Sequence, residues 1–100
     1  MSYEELIEHA QSVHPGVITG QMFGMPCLKL EGKALGGKWR DDIVFKLSLE
    51  HATEALTLPE AHVFEPMEGH AMKQWIVVPR ALSREYARLI EWAIADRLAA

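Results

Sequence analysis

Read by its apolar and polar positions, the chain opens on a helix. Ser2 and Glu5 have capping-box spacing, each side chain placed to satisfy a free backbone N–H at a helix start. Behind them Tyr3, Leu6, Ile7, Ala10 and Val13 fall on one stripe at helical period, with Glu4, Glu8 and Gln11 on the far side. Pro15-Gly16 ends the segment. The period then shortens to two. Residues 17–23, 27–31, 34–39 and 42–47 read as strands, separated by Gly24-Met25-Pro26, Gly32-Lys33 and Arg40-Asp41. Leu28 and Leu30 alternate with Cys27, Lys29 and Glu31, and Ile43, Phe45 and Leu47 alternate with Val44 and Lys46. One face is therefore a core face and the other is mixed. Spacers this short allow only antiparallel neighbours, because a parallel crossover needs about a dozen residues.

Ser48 then caps a short helix carrying Leu49, Ala52, Ala55 and Leu56, which Pro59 closes. Residues 62–65 and 73–78 are two further strands joined through Pro66-Met67-Glu68-Gly69. Trp75-Ile76-Val77-Val78 is apolar on both faces, which places it inside the sheet. The pattern makes Ser83 the cap of a last helix with the stripe Leu82, Tyr86, Leu89, Ile90, Ala93 and Ile94. The order α-β-β-β-β-α-β-β-α predicts an α+β two-layer sandwich. An antiparallel sheet of five to six strands would carry helices mainly on one face.

Length and composition set limits on this picture. At 100 residues and 11.3 kDa the chain reads as one domain, residues 1–100. Folded, it should expose roughly 5,700 Å². Composition that is 49% hydrophobic and 24% charged, with 7 Gly and 5 Pro, excludes disordered and collagen-like classes. The net charge of −4 weighs against a nucleic-acid or membrane binder driven by overall charge. Cys27 is the sole cysteine, so no internal disulfide forms and a reducing compartment is expected. The first residues are acidic and amphipathic, unlike a signal peptide, and no apolar run reaches the ~18 residues of a membrane span. The expected setting is cytoplasmic, with no membrane contact.

Candidate chemistry is sparse. Gly32 to Lys38 fits GxxxxGK, but Trp39 follows where a phosphate loop needs Ser or Thr, and a strand follows where it needs a helix. A turn and a glycine-loosened strand explain the segment. His9 and His14 are five apart across a helix end and share no face. His62 and His70, with Met67 and Met72 nearby, have the donor types of a soft Cu(I) site, but no ligand pair has zinc-type spacing, and Met commonly fills cores. No metal or cofactor is expected. Cys27 has Lys29 nearby to lower its pKa, yet sits at a strand start with no histidine paired to it. Glu65 and His70 are an acid–base pair that nothing selects. No catalytic residue is assigned, and the chain is expected not to be an enzyme.

The mixed sheet face carries the interaction hypotheses. Alternation lets Phe23, Lys29, Val44, Lys46, Trp75 and Val77 share it. Residues 29–46 hold five basic side chains (Lys29, Lys33, Lys38, Arg40, Lys46) against three acidic ones. Trp92 lies off the apolar stripe of its helix, one turn after Arg88, and is either covered by that guanidinium or buried on a partner chain. The assigned contact surface is Phe23, Lys29, Lys46, Trp75 and Trp92. It suits a regulatory or adaptor module that binds a protein partner or itself as a homodimer. Alternatives are a nucleic-acid-binding regulator using Lys29, Lys38, Arg40, Lys46 and Trp75, or a small-ligand sensor.

A set of short motifs adds a family. Met22-Phe23-Gly24, Gly32-Lys33, VFKL at 44–47, Phe64-Glu65-Pro66, MKQW at 72–75 and Val77-Val78-Pro79 resemble, in that order, the TfoX N-terminal domain family, related in fold to YjbR-like proteins. Many relatives have a further glycine after MFG, where this chain has Met25. The resemblance implies a two-layer α+β sandwich and association with a bacterial regulator of competence for DNA uptake, whose members often carry a second, helical domain. It implies no catalytic residue. The shared residues also have structural reasons: Gly24 and Gly32 suit turns, Pro66 and Pro79 end strands, and Phe23, Phe64 and Trp75 have core-sized side chains.

Overall fold

Two-residue turns build most of the sheet. In the computed structural model, which describes residues 1–100, α1 (Tyr3–Val13) leads into β1 (Ile18–Met22), β2 (Met25–Leu30), β3 (Lys33–Trp39) and β4 (Asp42–Lys46). α2 (Leu49–Ala55), β5 (His62–Phe64) and β6 (Met72–Val78) follow, and a 3-10 turn at Arg80–Glu85 enters α3 (Tyr86–Ala99). The six strands form one antiparallel sheet in the order β1-β2-β3-β4-β6-β5. This is the α+β sandwich with the element order that the apolar pattern predicts. β6 lies between β4 and β5, inside the sheet as its doubly apolar run requires.

The three helices cover one face. Leu6 and Ala10 of α1, Ala52 and Ala55 of α2, and Leu89, Ile90, Ala93 and Ile94 of α3 pack on Leu28, Leu30, Leu35, Ile43, Phe45, Leu47, Ile76 and Val78. No charged residue is buried. The molecule exposes 5739 Å², the area expected of a closed monomer of this mass. No helix is long and apolar enough to cross a membrane. At α1 the Ser2 hydroxyl accepts the Glu5 N–H at 3.1 Å and the Glu5 carboxylate accepts the Ser2 N–H at 2.9 Å, so the capping box forms. These bonds hold the Glu5 carboxyl below its ordinary pKa.

Two local features differ from the sequence reading. The first two hairpins turn on Phe23-Gly24 and Glu31-Gly32, one residue earlier than the separators suggest, so Met25 and Pro26 belong to β2. Both turn residues have positive φ in each case (54° and 73°, 52° and 79°), the backbone of a type I′ turn, whose twist matches the flanking strands. A Phe and a Glu there carry about 1–2 kcal/mol of backbone strain each. Second, Ser83 does not cap the last helix. It lies in the 3-10 turn that begins after Pro79, and α3 starts at Tyr86 with no side-chain cap. Leu82 and Tyr86 are both buried, so their i,i+4 spacing hid the break at Leu82. As the sequence pattern has it, the Gly36-Gly37 pair lies inside a strand, β3, where the register slips between Leu28 and Lys29 on the neighbouring strand. A Cβ at Gly36 (φ +153°) would collide with the Val44 carbonyl, and one at Gly37 with the Pro26 carbonyl. Close strand approach, not phosphate, is what these glycines serve.

Candidate functional site

The face opposite the helices is occupied by a second apolar cluster. Met25, Val44, Phe64, Trp75 and Val77 are buried there, with Met22, Ala34, Trp39 and Met72 packed at the margin. Val44 opposes Val77 and Lys46 opposes Trp75 across the β4–β6 pair. β1 and β5 are the two sheet edges, yet Phe23 at the end of β1 meets Phe64 of β5 and Trp75 of β6, each with ring centroids 6.3 Å apart. Trp39 packs edge-on against Phe64 at 5.1 Å. The sheet therefore curls over this face, as twist accentuated by bulges allows. Register slips occur in the β2–β3 and β5–β6 pairs, at Leu28/Lys29 and Val63/Phe64.

The structure divides the contact surface assigned from sequence. Phe23 is 50% exposed and remains available. Trp75 is only 7% exposed, a core residue of the second cluster. Its burial follows from the curl, which lays Phe23 across it. The basic residues Lys29, Lys38, Arg40 and Lys46 consequently have no Trp75 ring for bases to stack on. Lys29 is half-buried near β1: its stem lies 3.1 Å from where a Cβ on Gly20 would sit. Lys46 is half-buried beside Trp75. Trp92 does not share this face at all. It packs with the helix-side core, stacked on His51 (4.3 Å, 3°) with the Arg88 guanidinium 4.7 Å from its ring. The contact with Arg88 expected of Trp92 is formed.

Motif residues gather on the curled face. Met22, Phe23, Phe64 and Trp75 meet in or beside the second cluster, Gly24 and Gly32 complete two turns, Pro66 starts the β5–β6 loop and Pro79 caps the 3-10 turn. Lys33 lies instead at a cavity of about 670 Å³ where β3, β4 and β6 meet the end of α3. Met22, Ala34, Trp75 and Ala93 form apolar wall there; Lys33, Lys46, Asp96 and Arg97 supply charge. Arg97 is committed to the Leu30 and Glu31 carbonyls at 3.1 and 2.9 Å. Lys33 and Lys46 enter no ion pair, so the lining suits an anionic group on an apolar body.

A second cavity, about 480 Å³, opens beside Phe23. Trp39, Pro66, Met67, His70 and Met72 complete its lining. His62, which the sequence reading grouped with His70, is elsewhere, its ring 3.1 Å from the Glu60 carbonyl. Glu65 accepts the Gly69 N–H at 2.8 Å and makes no pair with His70.

One constellation escaped the sequence reading. His51 Nδ1 lies 2.9 Å from Asp96, whose carboxylate also accepts the Ser48 N–H at 2.8 Å. The three residue types are those of a hydrolytic triad, but a triad needs the hydroxyl bonded to the ring nitrogen remote from the acid. Here Ser48 Oγ accepts the His51 backbone N–H at 3.2 Å as a helix cap, and no bond joins it to the ring. The set ties α2 to α3. His9 similarly ties α1 to α3 through Glu91 at 2.7 Å. With a sequence separation of 45 between His51 and Asp96, no local spacing could have shown the pair. Cys27 is fully buried, and that burial pushes its thiol up in pKa against a smaller opposite pull from Lys29. No three His, Cys, Asp or Glu side chains converge on a metal-sized site. No protein-family model and no curated protein matches the chain.

Proposed function

We propose that this chain is a non-enzymatic regulatory or adaptor module that acts through protein contact, its partner being a second copy paired along β1. A cytoplasmic, bacterial setting in competence or transcription regulation is what the motif resemblance implies for it. The observation that carries the reading is the state of the β1 edge. β1 is Ile-Thr-Gly-Gln-Met, five residues without charge or proline, and no backbone hydrogen bond leaves its outer side. The opposite edge, β5, has three residues, an irregular register and Pro66 close behind. An unguarded strand edge is a template for another strand. Two β1 strands related by a twofold axis near Gly20 pair antiparallel, an isologous contact that needs no other component.

Ile18, 58% exposed, and Phe23, 50% exposed, flank that edge and lose water on pairing. Lys29 opposes it, because its stem on Gly20 brings two ammonium groups toward the axis. The dimer is consequently weak and adjustable. Sedimentation and light scattering across protein concentration test this. A monomer–dimer equilibrium is expected, tightened by added salt and by Lys29→Gln and abolished by Ile18→Lys, which alters an exposed side chain and leaves the fold intact. A monomer at every concentration, or a dimer indifferent to Ile18→Lys, overturns the reading.

A further inference from the structure

We propose that the cavity beside Phe23 is a binding site for a soft monovalent metal ion, Cu(I) or its analogue Ag(I), held by Met67, His70 and Met72. The first ground is the state of the histidines. His9 pairs with Glu91, His14 Nδ1 accepts the Gly16 N–H at 2.9 Å, His51 pairs with Asp96, and His62 meets the Glu60 carbonyl. Of the five imidazoles in the chain, His70 alone has no hydrogen-bond partner for its ring, and it is exposed at the cavity. The second ground is the turn that presents it. The His70 N–H donates to the Met67 carbonyl at 2.9 Å, closing a turn over Gly69 with φ +80°. Glu65 fixes that turn by accepting the Gly69 N–H. Residues at the two ends of such a turn lie within about 7 Å at Cα, and Met67 and His70 line the same cavity.

Met67 is not filling a core: it is 65% exposed. Met72 follows two residues after His70, half-buried at the start of β6, and lines the same space. Two thioethers and a neutral imidazole are donors for Cu(I) and poor ones for Mg²⁺ or Ca²⁺, which require oxygen. No carboxylate lines the cavity, and Glu65 is already committed to the turn. Phe23 and Trp39 wall the space with aromatic carbon. The Arg40 guanidinium is 5.5 Å from the Trp39 ring centroid and leaves the donor set untouched. Binding is simple coordination of an ion that arrives reduced, with no electron transferred by the protein.

The test uses the whole chain titrated with Ag(I) in chloride-free buffer, and anaerobically with Cu(I) buffered by a chromogenic chelator. Native mass spectrometry gives stoichiometry, and NMR of the methionine methyl and histidine ring signals gives location. One ion per chain is expected, shifting Met67, His70 and Met72. Met67→Leu, His70→Gln and Met72→Leu should each weaken affinity by about tenfold or more, with circular dichroism unchanged. Zn²⁺ should not compete. Cys27 is the rival soft ligand. Binding abolished by Cys27→Ala and indifferent to the three substitutions overturns the proposal, as does failure of both ions to bind.

Discussion

Two tyrosine hydroxyls enter the helix-side core with opposite consequences. Tyr86 donates to the Val78 carbonyl at 3.0 Å in a fully packed setting, whereas the Tyr3 hydroxyl is buried with no partner. Removing a satisfied bond leaves the Val78 carbonyl short of a donor, so Tyr86→Phe should cost about 1 kcal/mol. That corresponds to a melting-temperature drop of roughly 4–8 °C for a domain of this size. Tyr3→Phe removes an orphaned polar atom and should leave the melting temperature unchanged or raise it. Burial pushes both phenols up to about 12 from an ordinary 10.0. The folded state therefore holds these protons longer than the unfolded chain. Their contribution is complete below pH about 10 and is lost as pH climbs toward the folded value. Denaturant titrations across that alkaline range should show a shallower decline for Tyr86→Phe than for the parent; equal slopes would contradict the assignment.

At the scale of elements, period and caps were legible and turn placement was not. The stripe from Tyr3 to Val13 and the Ser2/Glu5 box locate α1 because both are local, and alternation in 27–31 and 42–47 assigns core residues to the correct face. The separators failed by one residue at the first two hairpins because a Phe and a Glu occupy left-handed positions that composition assigns to glycine or asparagine. Ser83 misled because its hydroxyl precedes an apolar stripe that runs unbroken through a change of helix type. The glycines of β3 are legible only as loosening, since their role depends on carbonyls of two neighbouring strands. That role gives a sharp expectation. Gly37→Ala must push the Pro26 carbonyl aside, at about 3 kcal/mol or more. Gly24→Ala meets open space and bears only the cost of its positive φ. Equilibrium denaturation of the two variants should rank them in that order, and equal losses would remove the close-approach account of β3.

For the whole molecule, alternation names the side of a sheet on which a residue stands but is silent about curvature. Phe23 and Trp75 were rightly placed on one face, yet only the curl, which carries the end of β1 onto β5 and β6, decides that one is half exposed and the other sealed. For Trp92 the Arg88 contact, one turn away on the same helix, was legible, whereas the stacked His51 comes from α2 and no single stripe encodes it. Cys27 is a strand residue with no exposed surface. Its sulfur is shut away whenever the sheet is intact, so a thiol-specific reagent can reach it only during an opening excursion. The labelling rate, divided by that of the denatured chain, thus becomes a clock for how often the sheet comes apart. Gly37→Ala should run that clock faster and Tyr3→Phe should not, a comparison that requires no spectroscopic label beyond the one this chain already carries.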